Sequence, residues 1–116
     1  MVAHISRDEL KAKLDRADSF ILLEALPPAY FEDAHLPGAL NMPHDQVEAL
    51  APGLIPSRST DAVVYCANAP CANSTIAARK LLALGYTNVR EYAEGKEDWV
   101  TAGLPTERAA AAPSAH

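Results

Sequence analysis

The stretch from Ala62 to Ser74 constrains this chain most. Four apolar residues, Ala62-Val63-Val64-Tyr65, run into Cys66, then into a loop of small side chains, then into an amphipathic segment that stops at Gly85. A continuous apolar run of strand length, rather than an alternating one, marks a strand covered on both faces. Ile76, Leu81, Leu82 and Leu84, set among Ala77, Ala78, Arg79 and Lys80, read as the helix that follows. Cys66 therefore stands at the carboxyl end of a buried strand, facing a helix N-terminus.

That position suits thiol chemistry. The intervening residues Ala67, Asn68, Ala69, Pro70, Cys71, Ala72, Asn73 and Ser74 are small enough for main-chain amides to turn inward. There they join the positive end of the helix in an anion-binding cup. A free thiol titrates near ~8.5, and a helix N-terminus lowers that value. Cys66 is thus a candidate nucleophile; the competing reading is a small buried hydrophobe, the usual role of a free cysteine.

Elsewhere the pattern alternates strand with helix. Ser6 and Glu9 fit a capping box that opens a helix over about residues 7–16, with Leu10 and Leu14 on its buried stripe. Phe20-Ile21-Leu22-Leu23 reads as a second doubly covered strand. Pro27-Pro28 introduces a short helix over 29–33, and Ala39 to Met42 is a brief strand stopped by Pro43. Asp45 to Leu50 reads as helix, with loop at Pro52-Gly53 and from Pro56 to Ser59; Val89 to Tyr92 is the last strand and Lys96 to Val100 the last helix. Trp99 and Tyr92 read as packing residues. The alternation implies an α/β fold with a mostly parallel sheet, in which ligands bind beyond the carboxyl ends of strands.

Bulk properties narrow the function. At 116 residues the chain fits one domain, 1–106, followed by a flexible alanine-rich tail at 107–116. Hydrophobic residues at 49% and charged residues at 22% are those of a soluble globular protein, and no apolar run approaches the ~20 residues of a membrane helix. A net charge of −5 without a basic cluster argues against nucleic acid and membrane partners. The N-terminus shows no secretory leader, so a cytoplasmic location is expected, and the two cysteines are expected to do thiol chemistry rather than staple a secreted fold. Cys66 and Cys71 lack the close spacing of zinc knuckles, so neither a metal nor another cofactor is expected.

His35-Leu36-Pro37-Gly38-Ala39-Leu40-Asn41-Met42-Pro43, Tyr65-Cys66, Ala77-Ala78, Leu84-Gly85-Tyr86, Asn88-Val89, and Gly95 four residues before Trp99 with Gly103-Leu104-Pro105 beyond resemble, in order, the motifs of the rhodanese family. The resemblance spans about residues 4–106. It implies a single rhodanese-like domain with a five-stranded, mostly parallel sheet flanked by helices on both faces. It further implies a sulfurtransferase or persulfide carrier that takes sulfane sulfur onto Cys66 and passes it to a thiol acceptor, with the loop amides cradling the anion.

Departures from the family pattern refine this expectation. The loop carries no cation, and Arg79 and Lys80 lie further along the helix, so thiosulfate turnover is expected to be weak. The phosphatases that share this fold clamp phosphate with an arginine that is missing here. Cys71, five positions after Cys66 in the same loop, is a candidate resolving thiol able to form a disulfide with it. Glu24, which with Ala25 and Leu26 stands where many relatives carry an Asp-aliphatic-Arg triplet, is expected to pair with His35 and hold that motif against the sheet. The partners implied are a small sulfur donor and a thiol acceptor; a homodimer is compatible with the chain. The reading from another class is a non-catalytic binding or thiol redox-sensing module that uses Cys66 and Cys71.

Overall fold

The computed structural model describes residues 2–108; of the tail expected at 107–116, residues 109–116 lie outside the described residues. The elements run β1 (Ala3–His4), α1 (Arg7–Asp15), β2 (Ile21–Glu24), α2 (Pro28–Asp33), β3 (Leu40–Asn41), α3 (Val47–Leu54), β4 (Ala62–Tyr65), α4 (Asn73–Ala83), β5 (Val89–Tyr92) and α5 (Gly95–Thr101). The five strands form one sheet in the order β1-β5-β4-β2-β3, and every pairing is parallel. β4, the strand that leads to Cys66, is central and buried at all four positions.

Period-two alternation sorts the strand side chains into two cores. Leu23, Val64 and Val89 face Val47 and Ala51 of α3 and Ala77, Ala78 and Leu81 of α4. On the opposite face Leu22, Val63, Tyr65 and Tyr92 pack with Leu10 of α1 and Trp99 of α5. Helices thus cover both faces, as the continuous apolar strands require. Trp99 meets Tyr92 edge-on, with ring centroids 6.3 Å apart, and its indole N–H donates to Pro105 O at 2.7 Å. The predicted capping box of α1 is complete: Glu9 N–H donates to Ser6 Oγ at 3.1 Å and Ser6 N–H to Glu9 Oε1 at 2.9 Å.

Three local expectations are corrected. α3 continues through Pro52 to Leu54, because Val47, Ala51 and Ile55 form a buried stripe and this packing outweighs the one backbone donor that proline removes. α4 starts at Asn73, so Asn73 and Ser74 belong to its first turn and not to the loop. β1, a two-residue edge strand, was not foreseen; its residues are exposed and leave no apolar pattern.

One glycine decides where the Cys66 loop lies. Gly95 has φ +76°, and a Cβ there would stand 2.6 Å from Cys66 O and 2.8 Å from Asn68 N. The next two amides dock α5 onto the loop: Lys96 N–H donates to Cys66 O and Glu97 N–H to Ala67 O, each at 2.8 Å. Gly95→Ala therefore meets both a strained backbone conformation and fixed backbone atoms. A destabilisation of at least about 2 kcal/mol is expected in urea unfolding; a loss below about 0.5 kcal/mol would show that the loop can give way.

Candidate active site

The site forms where β4 ends and α4 begins, on the carboxyl edge of the sheet. Cys66 is buried, at 1% exposure, while Ala69, Pro70 and Ala72 are open to solvent. Asn68 and Cys71 close a tight turn, the Cys71 N–H donating to Asn68 O at 3.1 Å. That turn brings the sulfurs together: Cys66 and Cys71 are joined as a disulfide, with Cα atoms 6.5 Å apart, inside the range such bridges span.

The expected cup of amides is narrower than the list of loop residues. Pro70 has no N–H to offer, and the Cys71 N–H is spent on the turn. Among the described residues the amides of Ala67, Asn68, Ala69 and Ala72 make no backbone hydrogen bond, and the open set continues into the start of α4, where Ile76 N–H to Ala72 O, at 3.0 Å, is an early helical bond. The amides of Asn73, Ser74 and Thr75 precede it and have no intrahelical carbonyl. Ala72, as N-cap, supplies no side-chain acceptor for them.

Beside the sulfur lies a polar cluster that the sequence reading missed. Ser74 Oγ is 3.6 Å from Cys66 Sγ and donates to Glu91 Oε2 at 2.6 Å. Thr75 Oγ1 donates to the same carboxylate oxygen at 2.8 Å, and His4 Nε2 faces Glu91 Oε1 at 3.5 Å. Glu91 and Ser74 are both buried, at 4% and 1% exposure. The only sequence signal was a charged residue inside a strand flanked by β4 and β1, where an apolar side chain is the default.

The opposite side of the sheet holds a second buried carboxylate, and here the expected Glu24–His35 pair is corrected. Glu24 accepts from Tyr65 Oη at 2.7 Å and from Lys96 Nζ at 3.2 Å. Leu36 N–H donates to Tyr65 Oη at 3.0 Å, so the His35-to-Pro43 motif is tied to Glu24 through Tyr65. His35 turns the other way: its ring stacks on Phe31 at 3.9 Å. Its Nδ1–H donates to Phe31 O at 2.9 Å, and its backbone bridges Glu107 in antiparallel fashion. The Lys96 ammonium also donates to Tyr30 O and Ala34 O and is spent on structure. Lys80 likewise donates to His44 O at 2.9 Å. No group of three or more His, Cys, Asp or Glu able to hold a metal occurs among the described residues.

Burial pushes the Glu24 carboxyl above its ordinary range, against the hydrogen bond from Tyr65 and the charge of Lys96. Burial and then the Glu24 charge push the Tyr65 phenol far up, so Tyr65 remains a neutral donor. A carboxyl with a raised folded-state pKa holds its proton longer in the folded than in the unfolded protein. Its contribution to stability is present in acid and is lost as pH rises through the raised value. Relative to Glu24→Gln, the parent is therefore expected to gain melting temperature between pH 7 and pH 5; an equal change in both proteins would contradict the assignment.

Comparison with known proteins places this geometry. The family described as the rhodanese-like domain matches residues 6–102. An adenylyltransferase and sulfurtransferase of Candida albicans is 29% identical over 99 residues, covering 82% of this chain and 23% of that protein. YrkF of Bacillus subtilis, whose name is that of a sulfur carrier, is 28% identical over 98 residues, covering 84% of this chain and 51% of that protein. The chain thus spans about half the length, or less, of these relatives. The solution structure of a rhodanese-like domain from Anabaena superposes with a TM-score of 0.80 at 26% identity, covering 100% of this chain and 87% of that one. A thiosulfate sulfurtransferase from Pseudomonas aeruginosa shares the fold, with a TM-score of 0.82 at 24% identity over 92% of this chain and 20% of that one.

Proposed function

The chain belongs to the rhodanese-like family, and we propose that it works as a sulfurtransferase or persulfide sulfur carrier through Cys66. One observation carries this reading: the sulfur of Cys66 lies between the end of the central strand and an α4 N-terminus that no side chain caps. A reduced Cys66 there attacks the outer sulfur of a sulfane-sulfur donor. A new S–S bond forms on Cys66, and the donor's leaving group departs with the electron pair of the bond that breaks. An acceptor thiolate then attacks the outer sulfur, and Cys66 leaves as thiolate, restoring the site.

Cys71 adds a second exit. Its thiolate can attack the inner sulfur of the Cys66 persulfide, expelling hydrosulfide and leaving the Cys66–Cys71 disulfide, which a cellular thiol then reduces. The pairing of the two sulfurs favours this step, and it also supports the reading as a thiol redox sensor. In a reducing compartment such as the cytoplasm the disulfide would be a passing state rather than a staple. With Lys96 and Lys80 engaged elsewhere, the site suits donors less anionic than thiosulfate.

Reduced protein incubated with a low-molecular-weight persulfide, and separately with thiosulfate, is expected to gain the mass of one sulfur from the first and little from the second. Cys66→Ser abolishes the gain, and Cys71→Ser prolongs its lifetime. No gain from either donor, with Cys66 and Cys71 still cycling between thiol and disulfide, would favour the sensor.

A further inference from the structure

Glu91 has no part in the sulfur chemistry above, yet it is a buried carboxylate one hydroxyl away from the sulfur. Among the described residues, its side-chain polar contacts come from α4 and β1. From α4, Ser74 and Thr75 donate to Oε2; from β1, His4 faces Oε1. Arg79, four residues beyond Thr75 on α4, is exposed. Arg90, next to Glu91 on β5, turns to Asp61 at 3.2 Å. From α5, Lys96 and Glu97 present backbone amides to the loop carbonyls, and the Lys96 ammonium goes to Glu24.

The direction of the Ser74 hydroxyl is the decisive point. A hydroxyl has one proton, and at 2.6 Å that proton lies on the line to Glu91. Ser74 Oγ therefore turns a lone pair toward Cys66 Sγ, 3.6 Å away, and can accept from the thiol once the disulfide is reduced, as can the carbonyl oxygens of Cys71 at 3.5 Å and Asn68 at 3.9 Å. Two groups that are anionic when deprotonated also stand at the same end of α4, and a negative charge on one disfavours a negative charge on the other.

We propose that Glu91 is the proton partner of Cys66: bridged by Ser74, the thiol and the carboxylate hold one proton between them and titrate as a coupled pair. When Cys66 is activated, its S–H proton passes to Ser74 Oγ while the Ser74 proton passes to Glu91 Oε2. The electron pair left on sulfur becomes the nucleophile. When an acceptor takes the outer sulfur and Cys66 departs as thiolate, the proton returns by the same path. Glu91 is a positioning residue in this scheme, acting through Ser74. The return step rests on the sulfur-transfer reading; the shared proton does not.

The test reads the thiol directly and needs no sulfur donor. In reduced protein carrying Cys71→Ser, the rate of iodoacetamide alkylation of Cys66 is followed from about pH 4 to about pH 9. A thiol titrating alone gives a logarithmic rate that rises with unit slope until it levels. A coupled pair interrupts that rise with a shelf about one decade deep, where the carboxylate loses its proton. Glu91→Gln is expected to erase the shelf, because the second titrating group of the pair is gone. A parent profile without a shelf overturns the proposal whatever the variant does, and so does a shelf that survives Glu91→Gln. If the variant does not fold, the parent profile decides. A shelf in a protein that never loads sulfur would leave the pair standing and remove the sulfur-transfer reading alone.

Discussion

The docking of α5 onto the Cys66 loop is the contact on which the site depends. Two hydrogen bonds of 2.8 Å, from Lys96 N–H to Cys66 O and from Glu97 N–H to Ala67 O, fix the first two peptide units after β4. They form because Gly95 has no Cβ to hold the backbones apart. With the beginning of the loop fixed from one side and α4 fixed from the other by Ala77, Ala78 and Leu81 in the core, the few residues between must curl. The curl puts Cys71 against Cys66. Placement of the sulfur is thus a packing result, set by elements far apart in sequence.

Charge is distributed around this frame in an uneven way. The amides at the head of α4 favour an anion, whereas among the described residues no lysine or arginine side chain is hydrogen-bonded there. Lys96 and Lys80 are drawn off to carbonyl groups and to Glu24, and Glu91 brings a carboxylate to the same helix end. A site of this kind stabilises one negative charge and resists a second. That balance would suit the persulfide proposed for Cys66 and would make a dianionic donor a poor fit. The two buried carboxylates divide the labour by face: Glu24, with Tyr65 and Lys96, holds the His35-to-Pro43 segment to the sheet, while Glu91, with Ser74, stands beside the sulfur.

Much of the fold was legible because its signals are local. Continuous apolar runs announced β2 and β4, the Ser6/Glu9 pair announced the start of α1, and Val63 to Cys66 placed the cysteine at a strand end. What the sequence did not yield depends on long-range contacts. The Glu24 partners come from β4 and from a residue 72 positions away, and nothing in the local pattern chooses Tyr65 over His35. Pro52 reads as a breaker until the buried Val47–Ala51–Ile55 stripe is seen. Glu91 looked like an ordinary strand residue because its hydroxyl partners belong to α4, 16 and 17 positions away.

Whether Cys66 hands sulfur on decides between carrier and sensor. Reduced protein charged by a low-molecular-weight persulfide and freed of donor should be mixed with a small thiol acceptor, and the intact masses of both partners followed in time. The account predicts that one sulfur leaves the protein, appears on the acceptor and returns Cys66 to its free thiol. A charged protein that gives no sulfur to the acceptor, in the parent and in Cys71→Ser alike, would contradict it.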